Sequence, residues 1–134
     1  MRIFWTYASP EATRTIIASG ERGRIDAEQG DDESGAVREV AHIAILEGAS
    51  ERFEAAVAQA APLFQAAHGA RSLVLERSIE YPLQYQLVIT WNCVGDHTER
   101  FRGSEAFREW RRLIADSVAG TPDVAHFRTV FTAF

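Results

Sequence analysis

Residues 71–93 read "RSLVLERSIEYPLQYQLVITWNC", and the pattern of this stretch decides the fold. Leu73, Leu75, Arg77 and Ile79 alternate along its first run; Tyr85, Leu87, Ile89 and Trp91 alternate along its second. Period-two alternation on both sides of the Pro-bearing "EYPL" predicts a β-hairpin. Upstream, "EVAHIAILEG" (residues 39–48) is a β-rich apolar run closed by Gly48, which predicts a first strand. Ser50 then stands where a helix N-cap belongs, with Glu51 and Glu54 near the positive helix end. Phe53, Val57, Ala60, Phe64 and Ala67 follow at steps of four, three, four and three, one face of a helix. Pro62 lacks an amide donor and is expected to bend this helix, and Gly69 suits the left-handed residue after its end.

Downstream of the hairpin, a short helix over about Gly95 to Phe101 leads through Gly103 to a longer one capped by Ser104. Phe107, Trp110, Ile114 and Ser117 share a face of that second helix, and Gly120 and Pro122 stop it. "DVAHFRTVFTAF" (residues 123–134) supplies a last strand. The order β-α-β-β-α-β specifies an α+β, ferredoxin-like domain whose antiparallel sheet carries its helices on one face. Three of the strands are apolar on both sides, so the other face of the sheet needs cover as well. A second copy is the simplest cover, which predicts a homodimer through the sheet faces.

The chain has 134 residues, enough for one domain with a sizeable core. Its formal net charge of −5 argues against nonspecific nucleic-acid binding and against docking on an anionic membrane surface. No apolar run approaches the ~20 residues of a membrane span. Cys93 is the only cysteine, which rules out an intrachain disulfide, and the cytoplasm is the expected location. All 14 basic residues are arginine, so chemistry that needs a lysine, from Schiff bases to the Walker phosphate loop, is excluded. Residues 1–38 read as an N-terminal extension preceding a domain at 39–134. Within the extension, "ASGERGRIDAEQGDDESGAV" (residues 18–37) is too poor in apolar side chains to offset its ordering entropy and reads as a flexible leader. Residues 1–17 could dock as a strand or helix turn through Ile3, Phe4, Trp5 and Tyr7, or form a tail.

The chemistry-bearing residues cluster in "WNCVGDHTERFRGSEAFREWRRL" (residues 91–113). Together with "HIAILEG" and its helix, the hairpin and "GTPDVAHFRTV", this stretch resembles the antibiotic biosynthesis monooxygenase domain, a dimeric α+β barrel family, over about residues 39–131. The marks of the resemblance are Trp91 ending its strand, the spacing of His97, Phe101, Arg102 and Ser104, and the Phe107–Trp110–Arg111 pattern of the next helix. The resemblance implies a site between sheet and helices where an electron-rich phenolate or enolate reduces oxygen directly, with no metal, flavin or haem. Two departures stand out. A polyketide-oxidising branch places Asn four residues before the strand Trp and Tyr six after; here these positions hold Leu87 and His97. A haem-degrading branch expects Trp and His where this chain has Phe101 and Arg111, so its haem ligand is missing.

Under this reading His97 is the acid or base, since an imidazole exchanges protons near neutral pH. Trp91, Trp110 and Phe101 form the aromatic walls, and His42 and Arg102 are secondary polar contacts for a small aromatic substrate. Each has a plainer alternative: His97 packed against Phe101 or bonded to a carbonyl, Trp91 and Trp110 as core, His42 and His126 as satisfied sheet or interface histidines, Arg102 as a surface ion pair, and His68 as a cation at a helix end. Cys93 lies four residues from His97, but no third group orients a thiolate pair. The histidines show no metal-ligand spacing. A non-catalytic dimeric module that binds a small hydrophobic ligand remains the alternative to an enzyme.

Overall fold

The computed structural model describes Thr6–Tyr7 and residues 36–134. Its elements are β1 (Thr6–Tyr7), β2 (Val37–Ala44), α1 (Ser50–Gln65), β3 (Ala70–Arg77), β4 (Gln84–Trp91), a π-helical turn (Asp96–Phe101), α2 (Glu105–Ile114) and β5 (Asp123–Phe127). The strands form one sheet in the order β1-β5-β2-β4-β3. β2, β3, β4 and β5 pair antiparallel, and β1 runs parallel to β5. This is the α+β ferredoxin-like arrangement that the hairpin and its flanks predict. The predicted leader at residues 18–37 falls almost wholly outside the described residues; its last residue, Val37, begins β2 and pairs with Trp91.

Strand register assigns the two sheet faces, because directly opposed residues project to the same side. The helices cover the side bearing Ala41, Ile43, Tyr85, Leu87, Ile89, Trp91, Leu73, Leu75 and Val124, which join Phe53, Phe64, Phe101, Phe107, Trp110 and Ile114 in one core. The opposite face carries Val40, Val74, Val88 and Phe127 among Arg38, His42, Glu76 and Gln86. Val74 and Phe127 are about half exposed there.

Several local expectations need adjustment. Ala49 occupies the N-cap position of α1 with no side-chain cap, and Ser50 is instead the first helical residue. α1 runs through Pro62 to Gln65, so the proline sits inside the helix. The final strand ends at Phe127, and Val130, Phe131 and Phe134 beyond it are exposed. Ser104 caps α2 as expected, its hydroxyl accepting from the Phe107 amide at 3.2 Å.

Gly69 is the left-handed residue after α1, with φ +85°. Its carbonyl accepts from the Asn92 amide at 2.8 Å, tying the end of α1 to the end of β4. The buried side chain of Asp96 lies against its Cα, where a methyl group would overlap the carboxylate. Gly69→Ala therefore meets both an unfavourable backbone conformation and a steric clash. It should lower the unfolding free energy by about 2 kcal/mol or more in urea titration. A neutral effect would show that Asp96 is not seated there.

Candidate functional site

Four side chains from four elements meet on the covered side of the sheet, beneath the π-helical turn. Glu39 on β2 lies directly opposite His126 on β5, so both project the same way. Trp91 on β4 is the diagonal neighbour of Glu39, since Val37 opposes Trp91 and Glu39 opposes Ile89. At that diagonal a large ring can reach a long carboxylate, and the Trp91 indole Nε1–H donates to Glu39 Oε1 at 2.9 Å. The π-helical turn lowers His97 into the space between the strands. Its ring stacks on Trp91 with centroids 5.5 Å apart and planes 19° from parallel. Its Nε2 lies 3.4 Å from Glu39 Oε2, and its Nδ1 lies 2.9 Å from His126 Nε2.

The short helix expected over about Gly95 to Phe101 is a π-helical turn at Asp96–Phe101, with the Arg102 amide donating to the His97 carbonyl at 2.9 Å. A wider turn brings residues four apart closer to eclipse than an α-turn does. His97 and Phe101 can thus both point inward, and both are buried. Asp96 anchors the start of the turn: it lies against Gly69, its Oδ1 is 3.0 Å from His68 Nδ1, and Arg100 Nε is 3.6 Å away. His68, expected to serve the helix dipole, is therefore a partner of Asp96.

The other residues singled out in the sequence fall into three groups. Trp91 adjoins His97, and the Phe101 ring lies 5.6 Å from that of Trp91. Arg102 ends the turn on the exposed side, near enough for its charge to act on His97. Trp110 is buried 5.2 Å from Phe64 in an edge-on contact, as a core residue between α1 and α2. His42 projects from the opposite face, exposed, beside Glu76, Arg77, Gln84 and Gln86, and the sheet separates it from His97. Alternation along β2 is the reason: Glu39, Ala41 and Ile43 point to the helices, so His42 cannot. Glu39 carries no motif and was not among the expected site residues. Its signal was there, since an acidic residue two positions before Ala41 shares the core side of the strand.

A groove of about 490 Å³ runs between the end of α1, the π-helical turn and the start of α2. Its walls are mainly apolar (Pro62, Leu63, Ala66, Ala67 and Ala106), with Phe101 shared between this groove and the Trp91 contact, and Arg100 and His68 also on its lining. Among the described residues, no group of three His, Cys, Asp or Glu is placed to hold a metal ion. No described helix is long and apolar enough to cross a membrane.

Comparison with protein-family models gives no match. Protein YczJ of Bacillus subtilis, itself uncharacterised, is 38% identical over 94 residues, spanning 70% of this chain and 99% of its own. A solved structure of a candidate antibiotic biosynthesis monooxygenase from Bordetella bronchiseptica is 43% identical, with a TM-score of 0.71 over 72% of this chain and 99% of that one. SnoaB, a cofactor-independent oxygenase from Streptomyces nogalater, shares the fold, with a TM-score of 0.63 at 17% identity over 73% of this chain and 96% of its own.

Burial sets the protonation of the cluster. Taking the Glu39 carboxyl out of water pushes it up from 4.5 to about 7, against the pull of the Trp91 N–H, which favours the carboxylate. Burial, helped by the charges of His126 and Arg102, holds the His97 ring down from 6.5 to about 3. Burial lowers His126 as well. Folding thus favours protonated Glu39, a contribution present below pH 4.5 and lost as the pH rises through about 7. Folding also favours neutral His97, a contribution present above 6.5 and lost as the pH falls toward 3. Glu39→Gln removes only the first effect. In urea titrations from pH 4.5 to 9, the variant should gain on the order of 3 kcal/mol relative to wild type. A stability difference that stays flat across this range would show that Glu39 ionises as an ordinary surface carboxylate does.

Proposed function

The chain belongs to the antibiotic biosynthesis monooxygenase family, and from that premise we propose that it is a cofactor-independent monooxygenase acting on an aromatic, quinol-like or polyketide-type small molecule. The observation that carries this reading is the buried carboxyl–imidazole cluster stacked against Trp91. Such a substrate must give up a phenolic or enolic proton before it is electron-rich enough to reduce oxygen. One oxygen atom then replaces two hydrogens at carbon as a carbonyl, and the other leaves as water. The protein's part is to move the proton and exclude bulk solvent, and titratable groups in an apolar setting suit both tasks. His97 is the central acid–base group of this scheme, buried behind the residues that a substrate would touch. Trp91 and Phe101 form its aromatic wall between sheet and helices, Trp110 backs them from the core, and the exposed guanidinium of Arg102 favours an anionic form of the substrate nearby.

The back of the sheet completes the reading. Val74 and Phe127 on that face stand half exposed beside Val40 and Val88, and we infer that a second copy covers them. A non-catalytic reading has its own support. Leu87 cannot hydrogen-bond a quinol, and the α1–α2 groove offers an apolar hollow of about 490 Å³ that contains no member of the buried acid–base cluster. In that case a small hydrophobic ligand binds without turnover.

Oxygen uptake with a panel of hydroquinones and anthrones separates the two. Turnover with at least one of them is expected, and His97→Ala should lower kcat/KM about 100-fold or more. Thermal shifts from several compounds with no oxygen consumed would favour the binding module. Light scattering on the full chain should give twice the monomer mass; a stable monomer would remove the second copy from the scheme.

A further inference from the structure

His97 cannot itself meet a substrate without repacking the core, because it is only 1% exposed between Trp91 and His126. His126 is only partly buried. We propose that Glu39, His97 and His126 form a proton relay in which His126 is the outer group that exchanges a proton with the substrate, and Glu39 is the internal store. The proposal rests on the oxidative reading only for what stands at the outer end; the relay itself is a property of the resting protein.

The geometry fits the task. Glu39 and His126 are directly opposed on neighbouring strands, and the His97 ring from the π-helical turn spans the gap between their ends. An imidazole carries its nitrogens on separate edges, so it can accept a proton at one while releasing another. When the store is full, the Glu39 O–H faces His97 Nε2, and His97 Nδ1–H donates to His126 Nε2. When the store is empty, the Glu39 carboxylate accepts from both Trp91 Nε1–H and His97 Nε2–H, and His126 Nε2–H donates to His97 Nδ1.

Discharge of a phenol or enol runs inward. The substrate proton passes to the second ring nitrogen of His126. The Nε2 proton of His126 moves to His97 Nδ1, and the Nε2 proton of His97 moves to Glu39. No electrons are transferred: one proton goes from substrate to store, and one negative charge goes from Glu39 to the substrate. His97 returns to a neutral ring of the other tautomer, so no cation is stranded in the core, where it would be costly. Among the described residues, the charged and polar groups that bear on the relay are Glu39 from β2, His126 from β5 and Arg102 from the end of the turn, with the Trp91 N–H from β4.

Nitrogen-15 and carbon-13 NMR of the labelled full chain tests this without any substrate. Between pH 5 and 9 the Glu39 carboxyl signal should titrate, and the His97 nitrogens should exchange their protonated and unprotonated shifts at the same midpoint. In Glu39→Gln that exchange of tautomers should vanish. His126→Leu should slow the exchange of the His97 ring proton with water by roughly tenfold or more, because its outlet is gone. A merely structural histidine would have the opposite effect, since its loss loosens the packing and speeds exchange. A His97 that keeps one tautomer while Glu39 titrates, or a ring proton that exchanges as fast or faster in His126→Leu, overturns the relay. Tautomer exchange without oxygen uptake would sink the oxidative reading alone, and oxygen uptake without tautomer exchange would sink the relay alone.

Discussion

Placing a carboxyl group on the covered face of the sheet is the constraint that organises the rest of this molecule. Glu39 occupies a strand position whose neighbours along the same side, Ala41 and Ile43, are wholly buried. A carboxylate left alone there would cost several kcal/mol. The fold meets that cost in two ways. Burial pushes its pKa up to about 7, which favours the neutral form, and an indole N–H and an imidazole supply partners for its oxygens. Each partner brings its own requirements. Trp91 must end β4 at the diagonal of Glu39, and His97 must arrive from above the sheet.

Most of the scaffold was legible in the sequence because it rests on periodicity. The alternation of the hairpin and the steps along α1 and α2 translate into faces with little interference from the rest of the fold. The face of a strand within the sheet was less legible. His42 attracts attention as the titratable residue of an apolar run, yet alternation sends it to the back, while Glu39 takes the inward position. Residue type suggested the histidine; register selects the glutamate. Trp110 shows the complementary limit. Its helical spacing placed it on the inward face, but whether an inward tryptophan lines a site or fills the core depends on Phe64, a neighbour far away in sequence. The short helix after β4 was legible, but its π-helical hydrogen-bond pattern was not, because that pattern is fixed by what Asp96, His97 and Phe101 pack against.

Family membership and local chemistry answer different questions. Family membership accounts for the shared arrangement of sheet and helices, but folds of this kind host varied chemistries. Leu87 and His97 set this chain apart from the polyketide-oxidising pattern, and together they change how the site can work. An apolar side chain at 87 gives no hydrogen bond for a quinol, so in the proposed oxidative reading orientation would come from the aromatic side chains and from charge. An imidazole at 97 gives a proton-transfer group where a phenol would mainly donate.

Stability alone does not account for this arrangement. An aliphatic side chain at each of positions 39 and 97 could fill the same space without any polar group to desolvate, and replacing buried charged pairs in that way is often neutral or stabilising. The chain instead buries both groups and fixes the segment that carries one of them. Asp96 is itself buried, seats against a glycine in the left-handed region, and has His68 and Arg100 as its partners. These contacts set where the π-helical turn begins, and hence how far His97 descends between Glu39 and His126. A turn that only had to roof Trp91 would need no such anchor. A turn that must keep two ring nitrogens in line with two different partners does, because proton transfer tolerates little error in distance.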